Sequence, residues 1–272
     1  MRHRYYHLKA IINSNGVSAY WWTGERNFGD LITPYLLSSY GYTPLLATKE
    51  SACLVATGSL IQILPYEFSG TILGTGLIAH RNHPLPFARF LAVRGPKTRD
   101  CLGLDAELPL GDPALLVGRF VKSKSTIHEV GLIPHYVDKK DPGVARLKRF
   151  FGEDAIIIDV MKDPRDVFSK ISRCKFVFSS SLHGIIVAQS LGIRAAWVKF
   201  SNKVTGDGFK FLDYSESVGY GIRAYQHEEL ANPVSIMKSA TQPSSELKSI
   251  RISKLDAIFK ASLRELVSTN LP

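Results

Sequence analysis

Phe176-Val177-Phe178-Ser179-Ser180-Ser181-Leu182-His183-Gly184-Ile185-Ile186-Val187-Ala188-Gln189-Ser190-Leu191 is the stretch on which the fold turns. Residues 176–178 read as a buried strand, and residues 184–191 as a helix of small and apolar residues. Hydroxyls, a histidine and a glycine lie at the junction. An apolar strand running straight into a helix is half of a βαβ unit, and the same alternation continues on both sides. Upstream come a strand over residues 130–134, a helix over 144–151, a strand over 155–159 and a helix over 164–172. Downstream, residues 195–198 form the next strand.

The first half of the chain repeats this order. Strands are expected over residues 18–22, 52–57, 71–74 and 90–93, with helices over 31–40 and 97–102, the latter opened by Pro96. Asp112-Pro113-Ala114-Leu115-Leu116 closes this series, and the polar, basic residues 121–129 separate it from the second. Apolar strands alternating with helices imply parallel sheets covered on both faces. The chain is therefore expected to be α/β, with two Rossmann-like lobes over residues 1–122 and 123–238 and a ligand cleft between them. Residues 239–272 should add an amphipathic helix packed on the body. Its apolar positions are Leu247, Ile250, Leu255, Ile258, Phe259, Leu263 and Leu266, and Lys248, Arg251, Lys254, Lys260 and Arg264 make a basic outer face.

At 272 residues, 45% hydrophobic and 21% charged, the chain can bury enough apolar surface to fold without disulfides or a structural metal. Cys53, Cys101 and Cys174 lack CxxC spacing and read as buried free thiols in a reducing compartment. No apolar run approaches the roughly 18 residues of a membrane span. The opening MRHRYYHLKAII lacks a long apolar core and a small-residue cleavage site, so it reads as a first strand and not a signal peptide. The expected location is the cytoplasm. The net charge of +10 attracts anions. Because Lys and Arg are scattered and no nucleic-acid-binding module is recognisable, that partner class is set aside in favour of phosphorylated metabolites or an acidic membrane face.

Several short segments carry chemistry. Ser179 to Gly184 combines hydroxyls, a helix start and His183, which suits an anion site with a proton donor. Asn27-Phe28-Gly29-Asp30 precedes a helix, where Asp30 can be an N-cap or a carboxylate at the ligand edge. In Val93-Arg94-Gly95-Pro96-Lys97, the Arg94 guanidinium can clamp an anion or close a structural ion pair. His135, in Ile133-Pro134-His135-Tyr136, ends the first strand of the second lobe and can face the cleft or the core. Gly74-Thr75-Gly76-Leu77-Ile78-Ala79 fits a dinucleotide fingerprint, but Pro84 and Pro86 follow where a helix is required. A glycine-rich strand end is the better reading. There is no Walker sequence and no DxD metal motif.

Taken in order, Asn27 to Asp30, Thr57-Gly58-Ser59-Leu60, Gly74 to Gly76, Val93 to Pro96, Gly111 to Leu116, Ile133 to Tyr136, Ser179 to Gly184 and Phe209-Lys210-Phe211-Leu212-Asp213-Tyr214 resemble the polysaccharide pyruvyltransferase family, in particular its exopolysaccharide ketal-forming branch. The resemblance implies two lobes of the glycosyltransferase-B kind and phosphoenolpyruvate as co-substrate, with no cofactor and no metal. It implies His183, Arg94 and Asp30 as catalytic groups. Donor contacts would come from Ser180, Ser181, Leu182, Gly184, Lys210 and His135 in the second lobe, and acceptor contacts from Asn27, Gly58 and Ser59 in the first. Family members often carry arginine where this chain has Ser181, so Arg94, Lys210 or Lys199 is expected to supply that charge. The acceptor would be a sugar of a bacterial exopolysaccharide or of its undecaprenyl diphosphate-linked precursor, reached by peripheral contact with the inner membrane. The competing readings are a nucleotide-sugar glycosyltransferase of the same fold and a non-catalytic saccharide-binding module.

Overall fold

The computed structural model describes residues 15–122 and 124–268; the opening segment read above as a first strand lies outside them. Among the described residues, the strands form two five-stranded, all-parallel sheets. The first contains β1 (Gly16–Tyr20), β2 (Thr43–Leu46), β3 (Leu54–Val55), β4 (Thr71–Leu73) and β5 (Arg89–Ala92), in the order β2-β1-β3-β4-β5. The second contains β6 (His128–Ile133), β7 (Ala155–Ile157), β8 (Cys174–Ser179), β9 (Arg194–Val198) and β10 (Ala224–Tyr225), in the order β7-β6-β8-β9-β10. Renumbered from its own first strand, the second sheet has the same 2-1-3-4-5 order as the first. In such a sheet the chain reverses direction across the layer between strands one and three, and a crevice opens at their carboxyl ends. Both lobes therefore carry a ligand edge at a position fixed by topology.

Among the described residues the α-helices are α1 (Ile32–Ser39), α2 (Pro96–Cys101), α3 (Pro142–Phe151), α4 (Pro164–Ile171), α5 (Leu182–Ser190), α6 (Phe209–Ser217), α7 (Pro233–Ser239) and α8 (Ser245–Ser268). Pro opens α2, α3, α4 and α7, where its missing N–H costs nothing. Asp141 and Asp163 cap α3 and α4 by accepting backbone N–H groups at 2.9 Å. α5 is buried on every side except its last residue, Ser190, which explains its lack of polar periodicity. It packs against a 3₁₀ segment, Pro113–Arg119, that crosses from the first lobe. Leu115, Leu116 and Val117 of that segment share one core with Phe28 and Leu36 of the first lobe and Ile185, Ile186 and Val187 of the second. The lobes are thus fused through apolar contact, and the amide of Phe28 also donates to the carbonyl of Val160 at 2.7 Å.

α8 joins the same core through Leu255, Phe259 and Leu263. Its expected outer basic face is only partly realised. Lys248 donates to the Gln189 carbonyl and Arg251 to the Ser217 carbonyl, so both turn toward the body, while Lys260 pairs with Asp256. Ile250, expected on the inner face, is exposed. The helix register is the reason: the fully buried positions are spaced by four, from Leu255 to Phe259 to Leu263, and this stripe rotates Ile250 outward. No helix among the described residues is long and apolar enough to cross a membrane. Of the cysteines, Cys174 alone is fully buried; Cys53 and Cys101 are half-buried.

Candidate active site

The carboxyl ends of both switch points meet across one cleft of about 260 Å³. From the first lobe Trp22, Glu25, Asn27, Asp30, Ser59, Leu60, Ile63 and Ile78 line it, and from the second His135, Tyr136, Ser181, Leu182, His183 and Lys210. Asn27 and Asp30 follow β1 and Ser59 follows β3. His135 follows β6, and Ser181 to His183 follow β8. Each pair is the strand-one and strand-three end of its lobe.

α5 starts at Leu182, earlier than the glycine expected to open it, with Ser181 in extended conformation at the N-cap and its hydroxyl not used for capping. The first amides of the helix thus point to the cleft floor. Gly184 is required there, since a Cβ would lie 2.5 Å from Ser179 Oγ. Ser180 is placed differently from expectation. Its hydroxyl accepts from the His135 amide at 2.9 Å and donates to buried Asp138 at 2.6 Å, so it fixes the loop and does not line the cleft. Asp138 also accepts from Ser201 Oγ. A hydroxyl already spent on a carboxylate is a poor anion ligand. That role passes to Ser181, whose hydroxyl stands in the cleft.

Gly29 brings the lobes together at the histidine. A Cβ built on it would lie 2.2 Å from His183 Nδ1, so only glycine lets the ring rest against this turn. Asn27 Oδ1 accepts from the Gly29 amide at 3.0 Å and holds the turn in shape. Asp30 is not a cap: α1 begins at Ile32 with Leu31 at the N-cap and no side-chain cap bond. Its carboxyl sits in the cleft, where burial raises its pKa to about 6, against the opposing pull of His183 and Lys210. Burial, reinforced by Arg94, lowers the Lys210 ammonium to about 8. Burial and then Lys210 lower His135 to about 4, so this imidazole is neutral. Its Nδ1 accepts from the Val137 amide at 3.5 Å, leaving Nε2 to carry the proton.

Arg94 corrects the expectation of a ligand clamp. Although it follows β5 as expected, it is fully buried and does not line the cleft. Its Nε donates to Asp213 at 2.9 Å, Nη1 to Ser59 Oγ at 2.7 Å and Nη2 to the Leu77 carbonyl. Asp213 also takes the amide and hydroxyl of Thr98 at 2.9 and 2.7 Å. The ion pair is thus a bolt between α6 and the first lobe. Gly76 serves it: a Cβ there would lie 2.5 Å from Arg94 Cζ, so this second glycine of the dinucleotide-like Gly74-Thr75-Gly76 lets the guanidinium lie against backbone, while Gly74 makes room for Pro113. Gly58, with φ of 115°, stands behind Asp30 and does not reach the cleft surface. Of the cations expected to replace the missing arginine, Lys210 faces the cleft, and Lys199 lines a neighbouring cavity of about 330 Å³ with Trp197 and Asp138.

The sequence reading did not single out Trp22, Glu25 or Asp112. Trp22 is 42% exposed at the cleft mouth, with Gly24 set close against its indole. Asp112 is wholly buried behind His183, with Oδ2 3.7 Å from Nε2. Trp22 had a signal, its place at the end of the first expected strand. Asp112 had none beyond its place in the closing motif.

Residues 86–202 match the family described as polysaccharide pyruvyl transferase. That segment contains the Arg94 turn, the Asp112 segment, the His135 strand end and the whole of α5. This part of the chain is similar to the polysaccharide pyruvyl transferase family. Two relatives extend the likeness beyond the family segment. Uncharacterized protein L143 of Acanthamoeba polyphaga mimivirus is 35% identical over 193 residues, 65% of each chain. Succinoglycan biosynthesis protein ExoV of Rhizobium meliloti (strain 1021) is 25% identical over 215 residues, 75% of this chain and 65% of ExoV. The matches therefore span just under two thirds of the length of either relative. Among solved structures, the wall teichoic acid polymerase TagF aligns loosely, with a TM-score of 0.44 at 10% identity over 99% of this chain and 96% of TagF. Ser181 and Lys210 both lie in the cleft, Ser181 within the matched segment and Lys210 beyond it.

Proposed function

We propose that the cleft transfers the pyruvyl group of phosphoenolpyruvate to two hydroxyls of a polysaccharide sugar, forming a cyclic ketal and releasing phosphate. The observation that carries this reading is the pairing, across one cleft, of an anion site on the second lobe with a buried carboxylate on the first. The helix amides at Leu182 to Gly184, the Ser181 hydroxyl and the Lys210 ammonium suit a ligand with a carboxylate and a phosphate of about −1.5 to −2. The ExoV likeness supports an exopolysaccharide acceptor.

The chemistry follows from the groups present. His183 gives a proton to the methylene carbon of the enol ester, and positive charge develops on the adjacent carbon. An acceptor hydroxyl bonds to that carbon as Asp30 takes its proton. Asp30 passes that proton to the bridging oxygen as the C–O bond breaks and hydrogen phosphate leaves; the second hydroxyl adds to the oxocarbenium that remains, closing the ketal, and its proton restores His183. Lys210 and the α5 amides hold the anion while its charge moves. His135 offers a neutral N–H. The acceptor side is Asn27, Ser59, Glu25 and the exposed face of Trp22, where a sugar ring can stack. Arg94 contributes by fixing Ser59.

Incubation of the protein with phosphoenolpyruvate and lipid-linked exopolysaccharide precursors, followed by phosphate assay and mass spectrometry of the saccharide, tests the reading. Phosphate release with a mass gain of one pyruvyl ketal, abolished in His183→Ala with its fold intact, is the expected result. A thermal shift with nucleotide sugars and none with phosphoenolpyruvate would replace it with glycosyl transfer. Saccharide binding without phosphate release would leave a binding module.

A further inference from the structure

We propose that Asp112 is the positioning residue of the cleft histidine: its Oδ2 holds the Nε2–H of His183, so that Nδ1 is the nitrogen offered to the ligand. The inference rests on the reading of His183 as the proton carrier of the cleft.

Two buried atoms carry it. Asp112 Oδ2 and His183 Nε2 are both sealed from solvent, and neither has a hydrogen-bond partner. They face each other at 3.7 Å. A carboxylate oxygen is an acceptor and an imidazole nitrogen can be a donor, so each is the partner the other lacks. Catalytic hydrogen bonds are often long before ligand binds and tighten with it. The carboxylate cannot swing away, because Oδ1 accepts from the Ala114 amide at 2.9 Å and caps the Pro113–Arg119 segment. That segment packs against α5, which carries His183.

The other side of the ring is set by a different lobe. Nδ1 lies against Gly29, on the turn that leads to Asp30, and the His183 side chain lines the cleft together with Asp30 and Lys210. The charged and titratable groups around the ring are Asp112 from the 3₁₀ segment, Asp30 from the turn before α1, Lys210 from α6 and His135 from the end of β6. With Nε2–H fixed on Asp112, the imidazolium releases its Nδ1 proton to the donor carbon and is left as the Nε2–H tautomer. The proton freed when the second hydroxyl closes the ketal restores it. An oriented tautomer of this kind is what a buried carboxylate behind a histidine supplies.

Nitrogen-15 spectra of ring-labelled histidine in the free protein test this without any substrate, with the His183 signals identified by their loss in His183→Gln. The expected result is the Nε2–H tautomer in the native protein. In Asp112→Asn, which keeps the cap because asparagine caps as well as aspartate, the tautomer should switch to Nδ1–H. Turnover of that variant should fall by about 100-fold or more with KM for phosphoenolpyruvate little changed. A native Nδ1–H tautomer, or an unchanged His183 tautomer in Asp112→Asn, overturns the proposal; the native spectrum alone decides it if the variant does not fold. The expected spectra with no pyruvyl transfer to any saccharide would sink the proposed reaction and leave the positioning role standing.

Discussion

Asp30 shows at the scale of one residue how the cleft trades stability for chemistry. Its pKa, raised from 3.8 to about 6 by burial, means that the folded state favours the protonated acid. Stability present below about pH 4 is therefore lost as pH rises through about 6, and at pH 7.5 the charged form is a standing cost. Asp30→Asn removes that charge with little change of shape. It should raise stability at pH 7.5 by about 1–3 kcal/mol, from roughly two pKa units at 1.36 kcal/mol each, a net shift that already contains the attraction of His183 and Lys210. It should also lower kcat at least about 100-fold, read by chemical denaturation beside the phosphate assay. Lys210 carries the opposite limb: it is charged only below about pH 8. Turnover should accordingly rise through about pH 6, peak, and fall through about pH 8. In Lys210→Arg, whose guanidinium stays charged, the alkaline fall should vanish even if the peak rate is lower. His183 and Ser181 were legible in the sequence because polar residues at the end of an apolar strand must emerge at a ligand edge, whereas Asn27, well past the end of β1, was expected only through the family resemblance. Asp112 was not legible: its meaning depends on a histidine many residues away, and spacing cannot report that contact.

Elements were legible wherever their pattern was local. Both βαβα series, the Pro-opened helices α2, α3 and α4 and the terminal helix were readable, with ends off by a few residues, whereas α7 and β10 were not expected. β2 was missed because Pro44 reads as a breaker, yet it sits on an edge strand, where a missing N–H is tolerated. α6 was recognised as a motif but not as a helix. It starts after Gly206, Asp207 and Gly208, all at positive φ, and this left-handed turn leaves no capping residue to read. The Arg94 environment shows the same limit of local reading, since its partner Asp213 is 119 positions away. The strand-end rule put Arg94 at the carboxyl edge, and the ion pair then turned it inward. Arg94→Ala should cost about 3–5 kcal/mol, because it strands a buried carboxylate that two Thr98 bonds cannot neutralise. Arg94→Ala with Asp213→Ala should recover a sizeable part of that loss in a double-mutant cycle. If Arg94→Ala instead kept its melting temperature and lost only phosphoenolpyruvate affinity, the arginine would be a ligand clamp after all.

For the whole molecule, two sheets of identical strand order present their switch points to one cleft, and the geometry holds only if the lobes move as one body. Three structural features favour that. The Pro113–Arg119 segment and α5 share a core across the seam, Phe28 hydrogen-bonds to Val160, and the Arg94–Asp213 pair bolts α6 to the first lobe. α8 adds a fourth tie, since Leu255, Phe259 and Leu263 sit in the common core while Lys248 and Arg251 reach carbonyls of the second lobe. Phe259 is fully buried, so Phe259→Ala should cost about 3–5 kcal/mol through lost transfer energy and the cavity left behind. Its effect on the unfolding profile is the sharper test. If the lobes share one core, calorimetry should show a single transition that moves down as a whole, with calorimetric and van't Hoff enthalpies equal before and after the substitution. Saturation with phosphoenolpyruvate at about 100 times its dissociation constant should move that same transition up by about 2.7 kcal/mol. Two separated transitions, with only the earlier one sensitive to Phe259→Ala, would mean that the lobes fold independently. The close approach of Gly29 to His183 would then have to be assembled by ligand binding rather than supplied by the fold.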